Sequence, residues 1–169
     1  MIQKRISVKM FPHGRGLTLP KYASTFSSGA DLIAAVKENI LIEPGKWEVI
    51  PTGIAISLPS GYEGQIRPRS GLAKEYGVTC LNSPGTIDTD YRGEIKVILI
   101  NHGENNFKIE RGMRIAQLII VPYVTAIWEK KETLDNTIRG SKGFGSTGIV
   151  SEKETNHHLG KITQPRTTD

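Results

Sequence analysis

The sequence predicts a single all-β domain, a sandwich or barrel carrying one short helix. Three observations predict it. Among 169 residues stand 18 glycines and 9 prolines, about one chain breaker in six, whereas a typical helix runs for about 11 uninterrupted residues. Apolar residues make up 37% and charged ones 23%, enough to bury a core, and no apolar stretch nears the ~18 residues of a membrane helix. Short alternations of apolar and polar residues recur between turn signals, the pattern of many half-buried strands.

Taken in order, strands are predicted over residues 6–10, 40–42, 54–58, 78–81, 95–99 and 107–109. Between them lie Glu43-Pro44-Gly45-Lys46, Pro59-Ser60-Gly61-Tyr62, Ser83-Pro84-Gly85 and the polar run 101–106, all rich in turn formers. Only 70–76, closed by Gly77, reads as a helix. The run Ile115-Ala116-Gln117-Leu118-Ile119-Ile120-Val121 is apolar on both faces, so it must be covered twice, by the core and by another subunit. Gln117 in that run needs a partner, protein or ligand, because a buried amide left unpaired costs about 1 to 3 kcal/mol. The domain is expected over residues 1–136, followed by a mobile Gly-rich arm over 137–149 and a disordered polar tail over 150–169.

The net charge of +5 comes from one end of the chain. Lys4, Arg5, Lys9, Arg15 and Lys21 fall in the first 22 residues with no acid, and the rest is balanced. A solvated basic edge is expected, not a nucleic-acid interface. A single cysteine, Cys80, and no signal-peptide pattern at the start of the chain fit a reducing, cytoplasmic compartment.

Four segments hold more polar and glycine detail than a sandwich requires. Gly29-Ala30-Asp31-Leu32 sets a carboxylate among small residues at the start of a strand, as a turn cap or a metal ligand. In Pro68-Arg69-Ser70-Gly71-Leu72 a guanidinium, a hydroxyl and backbone amides converge where the helix opens. That grouping suits phosphate, and a plain helix cap by Ser70 explains it equally well.

The segment from Asn82 to Gly93 places Asp88 and Asp90 one residue apart, as on one face of a strand entering a tight hairpin at Gly93. It is either an acidic turn partnered by Arg92 or, since Asp88 adjoins apolar Ile87, the seat of a base or metal ligand. Finally, Arg139 to Gly148 has free glycine amides, two cations and Phe144. It lacks the Lys-Ser/Thr ending of a P-loop, and reads as a flexible linker or as an anion-wrapping arm with one stacking ring.

In this order the segments resemble the five motifs of the homotrimeric dUTP diphosphatase (dUTPase) family. The resemblance runs from Gly29 to Gly148, with Arg114-Ile115-Ala116-Gln117-Leu118-Ile119 matching the fourth motif. It implies a jelly-roll fold, a homotrimer with exchanged C-terminal arms, and active sites shared between subunits. It also implies Mg²⁺-dependent hydrolysis of dUTP to dUMP and pyrophosphate, which limits uracil incorporation into DNA and supplies dUMP for dTMP synthesis.

By the same resemblance Asp88 activates the attacking water and Asp31 holds Mg²⁺ through water. Arg69, Ser70, Gly71 and Gln117 take the phosphates, and Arg139 with Gly145, Ser146 and Thr147 closes over their far end. Asn82, Thr86, Ile87 and the main chain at Lys96 meet the uracil, Phe144 stacks on it, and Tyr91 excludes a ribose 2′-hydroxyl. Lys142 and Lys96 depart from the family's usual residues, and the tail from Ile149 lies beyond its last motif. The rivals are a dCTP deaminase of the same fold family and a non-catalytic trimer that binds nucleotides.

Overall fold

The computed structural model describes residues 3–143. The chain divides into a unit of Met1–Ala126 and a second of Ile127–Asp169; every strand and helix described below belongs to the first. After β1 (Ser7–Met10) and a 3₁₀ turn at Pro12–Gly14 come β2 (Lys21–Tyr22), β3 (Ala30–Ile33) and β4 (Ile40–Ile42). Next are β5 (Trp47–Pro51), β6 (Ile54–Ser57), β7 (Tyr62–Arg67), the helix α1 (Ser70–Tyr76) and β8 (Val78–Cys80). The chain continues through β9 (Gly85–Ile87), β10 (Lys96–Asn101), β11 (Phe107–Ile109) and β12 (Arg114–Pro122).

The strands form a jelly roll of antiparallel sheets that do not close into one barrel. The largest runs β2-β3-β12-β7-β9, a second runs β5-β10-β8, and two ribbons pair β1 with β6 and β11 with β4. Alternation inside the strands builds the core between them: Leu32, Ile42, Ile50, Val97, Leu99 and Ile115 are each almost wholly buried. Among the described residues no helix is long and apolar enough to cross a membrane.

The helix forms where Pro68 ends the preceding strand and the seven residues from Ser70 lack a breaker other than Gly71. It stops at Gly77, whose φ of 69° and N–H bond to Ala73 O make a left-handed C-cap. A side chain there would also strike the backbone of Gly103, so glycine is required twice over. Beneath it Asn101 is fully buried. Its amide donates to Ile42 O at 2.9 Å and to Asn105 O at 2.8 Å, and its oxygen accepts from Gly103 N at 2.9 Å. One side chain thereby ties β4, β10 and the loop that covers them.

β12 is the structural spine. On one side it pairs with β3 and on the other with β7, and it places Gln117 opposite both Asp31 and Arg67. Along it Ile115, Ala116 and Leu118 are buried, whereas Ile119, Ile120 and Val121 are covered only in part.

Two expectations need correction. Asp88 and Asp90 lie in a turn after β9, not in a strand, and β9 and β10 belong to different sheets, so no hairpin joins them. The loop crosses from one sheet to the other, and its turn closes through Tyr91 N to Asp88 O at 3.2 Å. The strands β5 and β7, absent from the sequence reading, sit between turns as expected of strands but have polar or exposed residues on their outer faces.

Replacing Asn101 by Ala removes the shared partner of two carbonyls and an amide. Asn101→Ala is expected to lower stability by about 2 to 4 kcal/mol, measured by chemical denaturation at fixed protein concentration. A loss below about 1 kcal/mol would mean that these groups find other partners.

Candidate active site

Six of the expected residues meet around one open cavity of ≈ 640 Å³: Asn82, Thr86, Ile87, Asp88, Tyr91 and Lys96. β9 presents Thr86 outward and buries Ile87, and the crossing loop then turns Asp88 into solvent. The adjacency of Asp88 to an apolar residue therefore does not bury its charge. Arg92 does not neutralise it either: its guanidinium donates to the carbonyls of Thr89 at 2.6 Å and Tyr91 at 2.9 Å. Among the described residues no cation lies within ion-pair distance of Asp88. The carboxylate has no side-chain partner among the described residues and faces the cavity, as a group reserved for a ligand or a water would.

Tyr91 lies across Gly93 so closely that a Cβ at that glycine would occupy the place of the phenol ring. Its hydroxyl donates to Glu94 O at 3.0 Å. Lys9, Phe11 and Glu94 also line this cavity. No local sequence signal marks Lys9 and Phe11, because β1 and the residue that opens the 3₁₀ turn reach the site only through the fold.

A second group assembles on the level of Gln117. Arg69 Nε lies 3.2 Å from one oxygen of Asp31 and Arg114 Nη1 lies 3.1 Å from the other. Arg69 also donates to Arg114 O at 2.8 Å. Gln117 donates to Pro68 O at 3.0 Å, which supplies the partner a buried amide demands, and Gly29 leaves room for its carboxamide. Asp31 is an ion-paired strand residue and not a turn cap. Ser70 is no cap either, since Arg69 holds the N-cap position without a side-chain bond, and Ser70 and Gly71 stay exposed.

The two groups are distinct. None of Asp31, Arg69, Ser70, Gly71 or Gln117 lines the cavity that holds Asp88 and Tyr91. A larger cavity of ≈ 960 Å³, bounded by Lys4, Arg5, Tyr22 and Tyr62, contains none of the expected residues. Arg139 lies in the second unit, in a turn where its Nε donates to Lys142 O at 3.1 Å. Phe144, Gly145, Ser146 and Thr147, with the rest of the arm from residue 144 and all of the tail, lie outside the described residues.

Residues 16–148 match the family model described as dUTPase. The chain belongs to the dUTPase family. The deoxyuridine 5′-triphosphate nucleotidohydrolase of Maricaulis maris is 57% identical over 145 residues, covering 85% of this chain and 95% of that protein. The protein of the same name from Rickettsia canadensis is 62% identical over 132 residues, covering 78% and 89%. In structure the fold is similar to the Staphylococcus bacteriophage 80alpha dUTPase with dUPNHPP, with a TM-score of 0.78, 28% identity, and coverage of 87% of this chain and all of that one.

Members of this family imply a metal, and the residues here fit one kind of site. Among the described residues no three His, Cys, Asp or Glu side chains group closely enough to cage an ion. Asp31 offers acceptor capacity beyond its two arginines, since an ionised carboxylate has about four lone-pair positions. One carboxylate suits Mg²⁺, which keeps several waters and takes other ligands from a substrate's phosphates.

Cys80, on β8 just before Asn82, takes no part in this chemistry. Burial pushes its thiol from 9.0 up to about 11. The unfolded chain releases this proton first, so the contribution to stability is complete below pH 9.0 and is lost as pH rises toward about 11. At pH 8 a disulfide reagent is expected to modify native Cys80 slowly and the denatured chain within seconds. Rapid modification of the native protein would contradict this burial.

Proposed function

We propose that the protein hydrolyses dUTP to dUMP and pyrophosphate, as a homotrimer whose active sites combine residues of different subunits. The observation that carries this reading is the cavity itself, where an unpartnered Asp88 and a Tyr91 laid over Gly93 face the same space. The names of the relatives above support the substrate.

Asp88 takes a proton from a water as its oxygen attacks the α-phosphorus. The bond from that phosphorus to the bridging oxygen breaks, and pyrophosphate leaves with the electron pair. General-base assistance of this kind contributes roughly a hundred- to ten-thousandfold, and the remainder comes from holding the phosphates in line. Arg69, Ser70, Gly71 and Gln117 bind those phosphates, and Arg139 joins them. Asp31 would hold Mg²⁺ through water, and the ion would there supply positive charge to offset the negative charge of the phosphates.

Asn82, Thr86, Ile87 and the main chain at Lys96 meet the base. Tyr91 stands where a ribose 2′-hydroxyl would go. A pocket that only tolerated the hydroxyl would discriminate about a hundredfold, so exclusion by a fixed ring is the stronger device.

The separation of the Asp88 cavity from the Arg69 cluster supports a site completed by a second chain. So does the partly covered run Ile119-Ile120-Val121, followed by Val124 at 94% exposure, because an apolar face left open by one chain is available to another.

Asp88→Asn is expected to lower kcat by about two to four orders of magnitude while nucleotide binding, followed by calorimetry, survives. Normal turnover would remove Asp88 from the role of base. Sharing of the site has its own test: Asp88→Asn and Arg69→Ala chains, each nearly inactive alone, regain activity when refolded together. No recovery would place both residues in one chain's site.

A further inference from the structure

Glu94 follows the crossing loop and has a side chain that is only 14% exposed. A carboxylate so covered requires donors, and it has two. His13 Nε2 lies 2.6 Å and Gly53 N 2.8 Å from the same oxygen, Oε1. The loop chemistry described above asks for neither the histidine nor the acid.

Both donors stand on a braced platform. Phe11 N donates to Gly53 O at 2.8 Å, and Arg111 donates to His13 O at 2.8 Å and to Arg15 O at 3.0 Å. Gly14 and Gly53 pack so closely that a side chain on either would strike the other's backbone. The His13 ring also stacks on Phe11, with centroids 5.9 Å apart, and Phe11 lines the cavity.

The other side of Glu94 faces Tyr91. Its carbonyl accepts the phenol hydroxyl at 3.0 Å. Ile95, buried and bonded through its N–H to Ile54 O at 2.8 Å, fixes where the loop ends. The Glu94 side chain and the carbonyl that accepts from Tyr91 leave the same Cα, so the clamp on Oε1 anchors the residue from which the phenol hangs. The phenol thus rests on Gly93 and hangs from the carbonyl of a residue whose side chain is held by His13 and Gly53.

We propose that Glu94, clamped by His13 and the Gly53 amide, is the positioning residue that holds Tyr91 against the sugar and so sets the preference for deoxyribose over ribose. The inference rests on the dUTP-hydrolysing reading above. It deepens that reading by assigning sugar selectivity to a pair 81 residues apart that acts through Tyr91.

The test compares kcat/KM for dUTP and UTP in the full-length protein and in His13→Ala, Glu94→Ala, Glu94→Gln, Tyr91→Phe and the double variant His13→Ala with Tyr91→Phe. His13→Ala and Glu94→Ala are expected to lower the dUTP-to-UTP ratio about tenfold, mainly by raising turnover of UTP. Glu94→Gln, which still accepts from Gly53 and His13, restores most of the ratio.

The double variant is expected to be no less selective than Tyr91→Phe, because both changes act on one hydroxyl. This cycle stands even if Glu94→Ala fails to fold, since His13 is on a partly exposed turn. An unchanged ratio in His13→Ala, equal losses on both nucleotides, or additive effects in the double variant would overturn the proposal. A parent protein that hydrolyses neither nucleotide would instead overturn the functional reading, and this inference with it.

Discussion

The register of β12 is the constraint on which the rest depends. A strand pairs with two neighbours at once, and a slip of one residue on either side would turn every side chain to the opposite face. Here nine residues from Arg114 to Pro122 hold β3 on one edge and β7 on the other. Gln117 thereby stands opposite Asp31 and Arg67, and its amide bridges to Pro68 O just beyond β7. The irregularity between Arg114 and Ala116 lets Arg114 reach the Asp31 carboxylate. Residues from three distant stretches of chain arrive on one level because the ladder admits no other alignment of the buried Ile115, Ala116 and Leu118.

The same economy of pairing explains why this chain presents its two groups of residues in separate places. β9 continues the β12 sheet through β7, but the loop after it departs to β10 in the other sheet. Asp88 and Tyr91 are carried away on that loop toward Lys9, Phe11 and Lys96, while Arg69 and Asp31 stay on the β12 level. The cationic cluster has its charge partly balanced by Asp31, and the exposed Asp88 carboxylate has no ion-pair partner among the described residues. A triphosphate with a base at one end and three anionic groups at the other is a ligand that matches such a division. In the homotrimer proposed above, the complementary half would come from a neighbour.

What was legible in the sequence is what local chemistry decides. The helix over Ser70–Tyr76 was readable because Pro68 and Gly77 bracket it, and β4 and β11 because isolated apolar pairs stand between turns. The strand at β12 and its need for an amide partner were readable from an apolar run with one glutamine. β5 was not, since Trp47, Glu48 and Val49 are all exposed in this chain and alternate in no useful way. The spacing of Asp88 and Asp90 mimicked a strand, yet alternation over three residues carries little weight against a turn that needs only one backbone bond. Pairings such as His13 with Glu94 or Arg114 with Asp31 join residues 81 and 83 positions apart, and no local pattern encodes them. The five-motif resemblance brought the site residues together in order, but not the fact that one chain keeps them in two places.

The measurement that tests this account most directly is pyrophosphate release, with Mg²⁺ present, from dUTP, UTP, dCTP and dTTP in parallel. The account predicts release from dUTP alone, since the cavity of Asp88 and Tyr91 has to select both the uracil and the deoxyribose. Comparable release from UTP or dTTP would contradict the roles given to Tyr91 and to the residues that meet the base. No release from any of the four would contradict the assignment of hydrolysis itself.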